Sequence, residues 1–402
     1  MRTKDILTST DPVPGALLEA YREAMGRNDV ASLRDRVETD GEQRRVANDR
    51  LRYYLGNLAD SPGARHVVER FYEERYDETV DPGDEAWLRS AVPDVESVLR
   101  DRALPVVSKA DLRSHFGVDG VRDEDGSSDR PTLTPRWVIE HDDEPYRRIE
   151  SSGTTGRPWG RAMTRNDYAL YAIQYTTFLD DLLREHGLDA EETSVAVALW
   201  GAVGEAASES MERLGADVHQ VDFEALTAGG DPTTAEAERL ISHVGEGDHG
   251  VVIGPVQLLM KGAVGVAIRR GDVDLDLTVN GGQVLTDEHR EILQSCGSSV
   301  EDWYGESECP QNGGRWIEVD GNHGFELAFD AQLFQVYDAE ADELRDEGRG
   351  RLAYLPFGLE GIAIPGVYVS GIEAELTRVG DEHQLLHDVR RIEASENRCY
   401  EG

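Results

Sequence analysis

A cluster of hydroxyl groups and glycines between residues 151 and 158 is the strongest candidate for chemistry in this sequence. It consists of Ser-Ser-Gly-Thr-Thr-Gly-Arg-Pro, with four hydroxyls and two glycines in the first six positions. Glycine lets the backbone approach a ligand closely and take positive φ, and hydroxyl and N–H groups donate hydrogen bonds to phosphate oxygens. The lack of a GK[ST] ending argues against a Walker loop. The pattern predicts a phosphate-binding loop, with an ordinary polar connection as the alternative. The predicted phosphate ligands are Ser151, Ser152, Gly153, Thr154, Thr155 and Gly156.

The apolar pattern after this loop predicts the elements that position it. Short apolar strands alternate with helical stretches, which favours a mostly parallel sheet with crossover helices. A long helix is predicted directly after the loop, over residues 167–185. The other predicted helices cover residues 205–214, 234–244, 256–269 and 287–293. The predicted strands cover residues 194–200, 216–221, 251–253 and 277–279.

The regions on either side have a different character. Helical spacing of apolar residues before the loop predicts helices at 17–25, 44–55, 67–76 and 95–104. Residues 118–144 are rich in Gly, Asp, Ser and Pro and predict a loop or insertion. Longer strands are predicted at 324–337 and 350–355. The fold class is therefore α/β, with mostly parallel sheets, crossover helices and a smaller mixed or antiparallel β sub-region.

The charge of the chain indicates the solvent it is adapted to. Its 402 residues carry 80 acidic and 41 basic side chains, a formal net charge of -39. Because the acidity is dispersed rather than gathered in a tail, it indicates a solvated surface. Self-repulsion of this size is tolerable where the Debye length falls to about 3 Å, as in 1 M salt. We therefore expect a high-salt cytosol, and we do not expect nucleic acid as a partner, because phosphates require a basic surface.

The lack of a targeting signal and the spacing of the cysteines favour a cytoplasmic location. No segment approaches the roughly 18 apolar residues that a membrane span requires, and the first 14 residues lack a signal-peptide pattern. The cysteines, Cys296, Cys309 and Cys399, have no paired spacing. Their spacing argues against a disulfide framework and against a zinc site.

The order of residues in the loop resembles the phosphate-binding signature SSGTTGxP of the adenylate-forming superfamily. Residues 164–167 and 104–113, which flank it, resemble the phenylacetate–CoA ligase-like members. The resemblance extends from about Arg44 to Arg391. It implies that residues 1–115 are the helical N-terminal region of the large domain, 116–315 the nucleotide-binding α/β core, and 316–402 a smaller β-rich sub-region and tail.

The resemblance also assigns roles to two later segments. Residues 280–286, Asn-Gly-Gly-Gln-Val-Leu-Thr, fall where the family has its adenine-side turn, and residues 304–308 resemble its YGxSE motif. By this resemblance Tyr304 packs on adenine, Ser307 contacts the α-phosphate, and Glu308 helps to hold Mg²⁺, for which carboxylate oxygens are suitable ligands. A surface turn with a core tyrosine is the alternative. The remaining candidate nucleotide-binding residues are Gly281, Gly282, Gln283 and Gly305.

Two features depart from the family. Full-length relatives have a small C-terminal domain with a lysine that assists adenylation, whereas this chain has no lysine after Lys261. We therefore expect that domain to be absent, and arginine is not an equivalent replacement. The aspartate that binds ribose in relatives corresponds to Ile372, for which Glu373, Glu375 or Asp381 are possible substitutes.

The acyl-protein synthetases of the bacterial luminescence system are similarly short. They transfer the acyl group to a cysteine near their own C-terminus, which makes Cys399 a candidate acyl acceptor. Neighbouring acidic residues would raise the pKa of its thiol, and an ordinary tail cysteine is the alternative.

The resemblance implies ATP-dependent activation of a carboxylic acid as an acyl-adenylate. Transfer to a thiol would follow, with CoA, a carrier or Cys399 as the acceptor. The expected cofactors are ATP and Mg²⁺, together with CoA if CoA is the acceptor. The catalytic candidates are Glu308 and Cys399. The missing lysine favours an alternative, a nucleotide- or acyl-adenylate-binding protein that acts as a sensor or as a subunit completed by another chain. A diverged relic without a ligand is a third hypothesis.

Overall fold

The computed structural model describes most of the chain from residue 40 onward. The described ranges are 40–120, 130–140, 147–150, 160–199, 201–222, 231–256, 265, 273, 275–282, 285–295, 297–306, 309–327, 332–380 and 383–392. Within these ranges no helix is both long and apolar enough to cross a bilayer.

Helices and strands alternate through the middle of the chain, which confirms the predicted α/β class. The helices are α1 (Asp40–Asp60), α2 (Pro62–Tyr76), α3 (Glu85–Ala91), α4 (Val95–Leu99), α5 (Lys109–Ser114), α6 (Arg136–Glu140), α7 (Arg165–Glu185), α8 (Gly201–Leu214), α9 (Asp231–Val244) and α10 (Asp287–Ser295). The strands are β1 (Val106–Ser108), β2 (Arg147–Glu150), β3 (Gly160–Met163), β4 (Thr193–Val197), β5 (Asp217–Gln220), β6 (His249–Gly254), β7 (Leu277–Gly281), β8 (Ser299–Glu306), β9 (Cys309–Val319), β10 (Asn322–Glu326), β11 (Leu333–Asp338), β12 (Glu343–Arg345), β13 (Gly348–Leu355), β14 (Val367–Val379) and β15 (His383–Arg391).

One mixed sheet contains 13 of the strands, in the order β12-β11-β13-β14-β15-β10-β9-β8-β7-β6-β4-β5, with β1 attached to β14. Strands β4 to β8 pair in parallel. The direction changes where β8 pairs antiparallel with β9, and the sheet is antiparallel from there to β12. The long strand β9 therefore joins a parallel half to an antiparallel half.

The parallel half is covered on both faces. Alternate residues of one strand face opposite sides, so Val195 and Val197 of β4 pack with α7 and α8. Ala196 and Ala198 pack on the other side, with α9. Burial of both faces explains why these strands are short, continuous apolar runs in the sequence. A third core forms between the N-terminal helices and the antiparallel half.

Two local predictions differ from the structure. The single strand predicted over 324–337 is two strands, β10 and β11, which are not neighbours in the sheet. Part of the insertion predicted over 118–144 is ordered, because it contains helix α6 and a bridge between Asp119 and Thr132. The predicted helices at 17–25 and over most of 256–269 lie outside the described residues.

Candidate functional site

A β-hairpin brackets the predicted phosphate-binding loop. Strands β2 and β3 pair antiparallel, and the pair closest to the loop is Glu150 with Gly160. The intervening segment therefore begins and ends at the same end of the hairpin. The six predicted phosphate ligands, residues 151–156, lie outside the described residues. The sequence analysis did not predict this hairpin, whose residues Glu150 and Gly160 flank the segment in sequence.

A buried carboxylate fixes the chain directly after the hairpin. Thr164 and Asp167 form a capping box at the start of α7. Asp167 also accepts hydrogen bonds from the backbone N–H groups of Glu360, at 2.9 Å, and Gly361, at 2.8 Å. Burial raises the pKa of the Asp167 carboxyl, and the nearby charge of Arg161 opposes this increase. The Asp167 side chain thus links the start of α7, directly after the hairpin, to Glu360, which lies 193 residues further along the chain.

Other groups complete this junction. The hydroxyl of Thr164 donates to the carboxylate of Glu360 at 2.9 Å, and the side chain of Arg161 is fully buried. Burial raises the pKa of the hydroxyl of Tyr53 in α1, and the charge of nearby Glu360 raises it further. Gly361 is required here, because a Cβ at this position would lie 2.2 Å from the carbonyl oxygen of Ala162 in β3.

The second predicted segment follows β7 at the carboxyl edge of the parallel sheet. Gly281 is the last residue of β7 and pairs with Trp303 of β8. Gly282 has φ of +78°, a conformation that glycine adopts readily. Ligands of open α/β sheets bind beyond the carboxyl ends of the strands. The structure therefore places Gly281, Gly282, Tyr304 and Gly305 together at the expected edge, whereas Gln283, Ser307 and Glu308 lie outside the described residues.

Tyr304 is buried and fixes a neighbouring carboxylate. Its ring centroid is 5.7 Å from that of Phe325, and its hydroxyl donates to Glu306 at 2.9 Å. Tyr354 of β13 donates to the other oxygen of Glu306 at 3.4 Å. The YGxSE-like segment is thus bonded to the antiparallel half of the sheet. Gly305 between these residues is exposed.

An amide–carboxylate pair at the same edge was not found by the sequence analysis. Asn280 donates to Asp302 at 2.6 Å, and its side-chain oxygen accepts the backbone N–H of Val256 at 3.0 Å. Burial raises the pKa of Asp302, and the hydrogen bond from Asn280 opposes this increase. The pairing of β7 with β8 that aligns Asn280 and Asp302 leaves no local signal in the sequence.

The raised pKa of Asp302 predicts a specific pH dependence. Unfolded Asp titrates near pH 3.9, roughly, and the native carboxyl titrates at higher pH. Between these two pKa values the native state binds more protons, so wild-type stability falls as the pH rises through this window. Asp302→Asn lacks this titration. Its free energy of unfolding, relative to wild type, should increase between about pH 4 and pH 7, as measured by chemical denaturation.

Asp338 provides a control of opposite sign. Backbone N–H groups, first that of Ala341, lower the pKa of its carboxyl. Its stabilisation is present above the unfolded pKa and is lost as the pH falls through the native pKa. Relative to wild type, the stability of Asp338→Asn should therefore decrease as the pH rises towards the unfolded pKa of about 3.9 and stay nearly constant from there to about pH 7. If both variants show the same trend, burial of Asp302 is not the cause.

Of the remaining candidates, the structure describes Ile372, Glu373 and Glu375. Ile372, which the sequence analysis aligns with the ribose aspartate of the family, is buried. Glu373 is bonded to Arg349 and Arg390, the latter at 2.7 Å. The bond to Arg390 lowers the pKa of Glu373, so this carboxylate is engaged within the sheet. Glu375 is aligned with His387 of β15. Residues Asp381, Cys296 and Cys399, and the side chain of Cys309, are not described.

Comparisons with known proteins give structural matches only. No family model and no curated protein matches the sequence. An open conformation of 2-hydroxyisobutyryl-CoA ligase with 2-HIB-AMP and CoA is 16% identical, with a TM-score of 0.59, covering 87% of this chain and 75% of the ligase. The same ligase in its thioesterification state, also with 2-HIB-AMP and CoA, is 18% identical, with a TM-score of 0.60 and coverage of 88% and 70%. At these identities the likeness establishes the fold.

Proposed function

We propose that this chain, which has the adenylate-forming fold of the acyl-CoA synthetases, uses ATP to activate a carboxylic acid as an acyl-adenylate. The observation that carries the proposal is that the described parts of two predicted nucleotide-binding segments, residues 281–282 and 304–305, lie side by side. They lie on the adjacent strands β7 and β8, at the edge where α/β sheets bind ligands. The hairpin that brackets residues 151–158 packs on α8, the helix that follows β4 at this edge.

The proposed roles follow from the chemistry of each group. The hydroxyls and N–H groups of residues 151–156 bind the phosphates of ATP. Gly281 and Gly282 leave space beside the adenine because they have no side chains, and Gln283 follows them as a polar contact. Tyr304 packs near the adenine, with Gly305 as its exposed neighbour. Ser307 contacts the α-phosphate. In the domain organisation that we propose, the core at residues 116–315 holds most of this site.

The donor set of the YGxSE-like segment fits a magnesium ion at Glu308. Glu306 accepts hydrogen bonds from two tyrosine hydroxyls, so it is committed to fixing the strand. Glu308 is the other carboxylate of the segment, and Mg²⁺ binds through one or two carboxylates together with substrate phosphates. The ion would neutralise the phosphate charge during the reaction.

In the proposed reaction a carboxylate oxygen of the substrate attacks the α-phosphorus, and the bond to pyrophosphate breaks. A thiol then takes the acyl group and AMP leaves, with CoA, a carrier thiol or Cys399 as the acceptor. Two of the similar ligase structures contain both an AMP derivative and CoA, which supports a thiol acceptor. These neighbours do not favour the alternative of a binding protein without catalysis.

Pyrophosphate exchange tests this function directly. The protein, ATP, Mg²⁺ and labelled pyrophosphate are combined in molar salt with a panel of aromatic, short-chain and long-chain acids. We expect acid-dependent incorporation of label into ATP with at least one acid. A folded protein that gives no exchange with any acid, and binds neither ATP nor AMP in calorimetry, contradicts the proposal.

Mass spectrometry of the intact protein identifies the acceptor. Acyl transfer to Cys399 predicts a mass increase after incubation with ATP and the acid, and its loss in Cys399→Ser. An exchange-active protein that gains no mass, and releases AMP only when CoA is added, uses CoA instead.

A further inference from the structure

Three side chains that can bind a metal converge at the outer edge of the parallel half of the sheet. Asp217 begins the edge strand β5, His243 lies in the last turn of α9, and Glu246 follows that helix. One ring nitrogen and one oxygen from each carboxylate all lie within 4.8 Å of one another. Ligands at about 2.0–2.2 Å from a shared ion are about 3–4 Å apart. Because these side chains are exposed or half-buried, small rotations suffice to close the site.

The hydrogen bond of His243 leaves a nitrogen available for a metal. Its Nε2 is 3.1 Å from the backbone carbonyl oxygen of Asp217. A carbonyl only accepts, so Nε2 carries the hydrogen and the neutral ring has its lone pair on Nδ1. Donation of the second ring N–H to a carbonyl is also the arrangement that orients metal-bound histidines.

The two carboxylates are not neutralised by a basic side chain. Among the described residues, neither Asp217 nor Glu246 forms an ion pair, and Glu246 accepts only a hydroxyl, from Ser242 at 3.3 Å. Arg239, one turn before His243, is bonded to the buried Glu236 at 2.8 Å. The site therefore brings two carboxylates, which lack a basic partner in the described part of the chain, beside an imidazole ring.

A second group of two carboxylates and one histidine does have a basic side chain beside it. Glu375, His387 and Asp388 also bring ligand atoms within 4.8 Å. Arg349, however, is aligned with Glu375 across β13 and β14 and lies 3.9 Å from Asp388. Its guanidinium already supplies the positive charge, which makes His387 the matched control.

A second histidine lies next to the first. His219 shares one face of β5 with Asp217, and its ring centroid is 5.6 Å from that of His243. Two imidazoles bound to one tetrahedral ion have centroids about 5–6 Å apart. The Nε2 of His219 contacts the Glu236 carboxylate at 3.1 Å, so the Nδ1 of His219 is the ring nitrogen that could act as a further metal ligand.

We infer that Asp217, His243 and Glu246, with His219 within reach, form a binding site for a divalent transition metal ion. Mixed nitrogen and oxygen donors suit Zn²⁺, whereas Mg²⁺ and Ca²⁺ favour oxygen ligands. Asp217 is at the amino end of β5, opposite the edge that carries Gly281. The site is therefore separate from the proposed adenylation chemistry, and it ties the end of α9 to an edge strand.

Calorimetry with Zn²⁺ tests this inference. The full chain, without a histidine tag and freed of metal with a chelator, is titrated in molar sodium chloride as wild type, His243→Gln and His387→Gln. We expect wild type and His387→Gln to bind one more Zn²⁺ than His243→Gln, or to bind it at least about tenfold more tightly. Saturating Zn²⁺ should raise the Tm of wild type more than that of His243→Gln.

Equal Zn²⁺ binding by wild type and His243→Gln overturns the inference, as does an absence of binding by wild type. Glu246→Gln, at an exposed position, replaces His243→Gln if that variant does not fold, and it carries the same expectations. Pyrophosphate exchange should be unchanged in these variants, so failure of the metal site and failure of the proposed function are separate results.

Discussion

Pyrophosphate exchange by a Glu308→Gln variant is expected to fall at least about 100-fold below that of the wild type. Glutamine keeps the size of the side chain but removes the negative charge that Mg²⁺ requires. Loss of one group that stabilises developing charge typically lowers kcat by about 100- to 1,000-fold. The rate should be measured over a range of Mg²⁺ concentrations, because a weakened site requires more metal for the same rate.

Glu301→Gln is the matched control for this prediction. Glu301 lies on β8, outside the YGxSE-like segment in sequence, and its carboxylate is 3.0 Å from His186. We expect the exchange rate of Glu301→Gln to stay within about twofold of wild type, since a partly exposed ion pair contributes little to the stability of the fold. Near-normal exchange by folded Glu308→Gln would show that another residue holds the metal.

Asp167→Ala is expected to lower the free energy of unfolding by about 3–5 kcal/mol, the range found when one member of a buried charged network is removed. The alanine leaves the N–H groups of Glu360 and Gly361 without their acceptor, and a buried donor without a partner is costly. It also removes a negative charge from beside the buried Arg161. Chemical denaturation in molar salt measures the loss.

Asp84→Ala separates this effect from ordinary helix capping. Asp84 is the exposed N-cap of α3 and accepts the N–H of Ala86 at 2.9 Å. Because its bonds are local, we expect a loss of about 1 kcal/mol. A loss in Asp167→Ala no larger than that of Asp84→Ala would mean that the bonds to residues 360 and 361 contribute nothing to stability.

The sequence predicted best the elements that depend on local pattern. Helix α7 was expected over 167–185 and begins at Arg165, because its apolar spacing is long and regular. The parallel strands were recognised because both of their faces are buried, so each is a continuous apolar run. The start of β7 agrees with the prediction, and the other bounds of β4 and β7 differ from it by one to three residues.

Contacts between distant parts of the chain could not be predicted in the same way. Strands β10 and β11 follow each other in sequence, yet β10 pairs with β9 and β15 while β11 pairs with β12 and β13. Hairpin register and partner choice depend on the whole sheet, and apolar alternation does not encode them. The pairing of Asn280 with Asp302 and the group around His243 depend on the same long-range arrangement.

The attachment of β1 to β14 has a consequence for synthesis on the ribosome. Val106 pairs with Val367, and the hydroxyl of Tyr54 in α1 donates to the carbonyl oxygen of Ile364 at 2.8 Å. The nascent N-terminal helices therefore cannot reach their native environment until some 310 further residues have emerged. At about 5–20 residues per second, that delay lasts roughly 15 to 60 seconds, during which their apolar faces are exposed to chaperones.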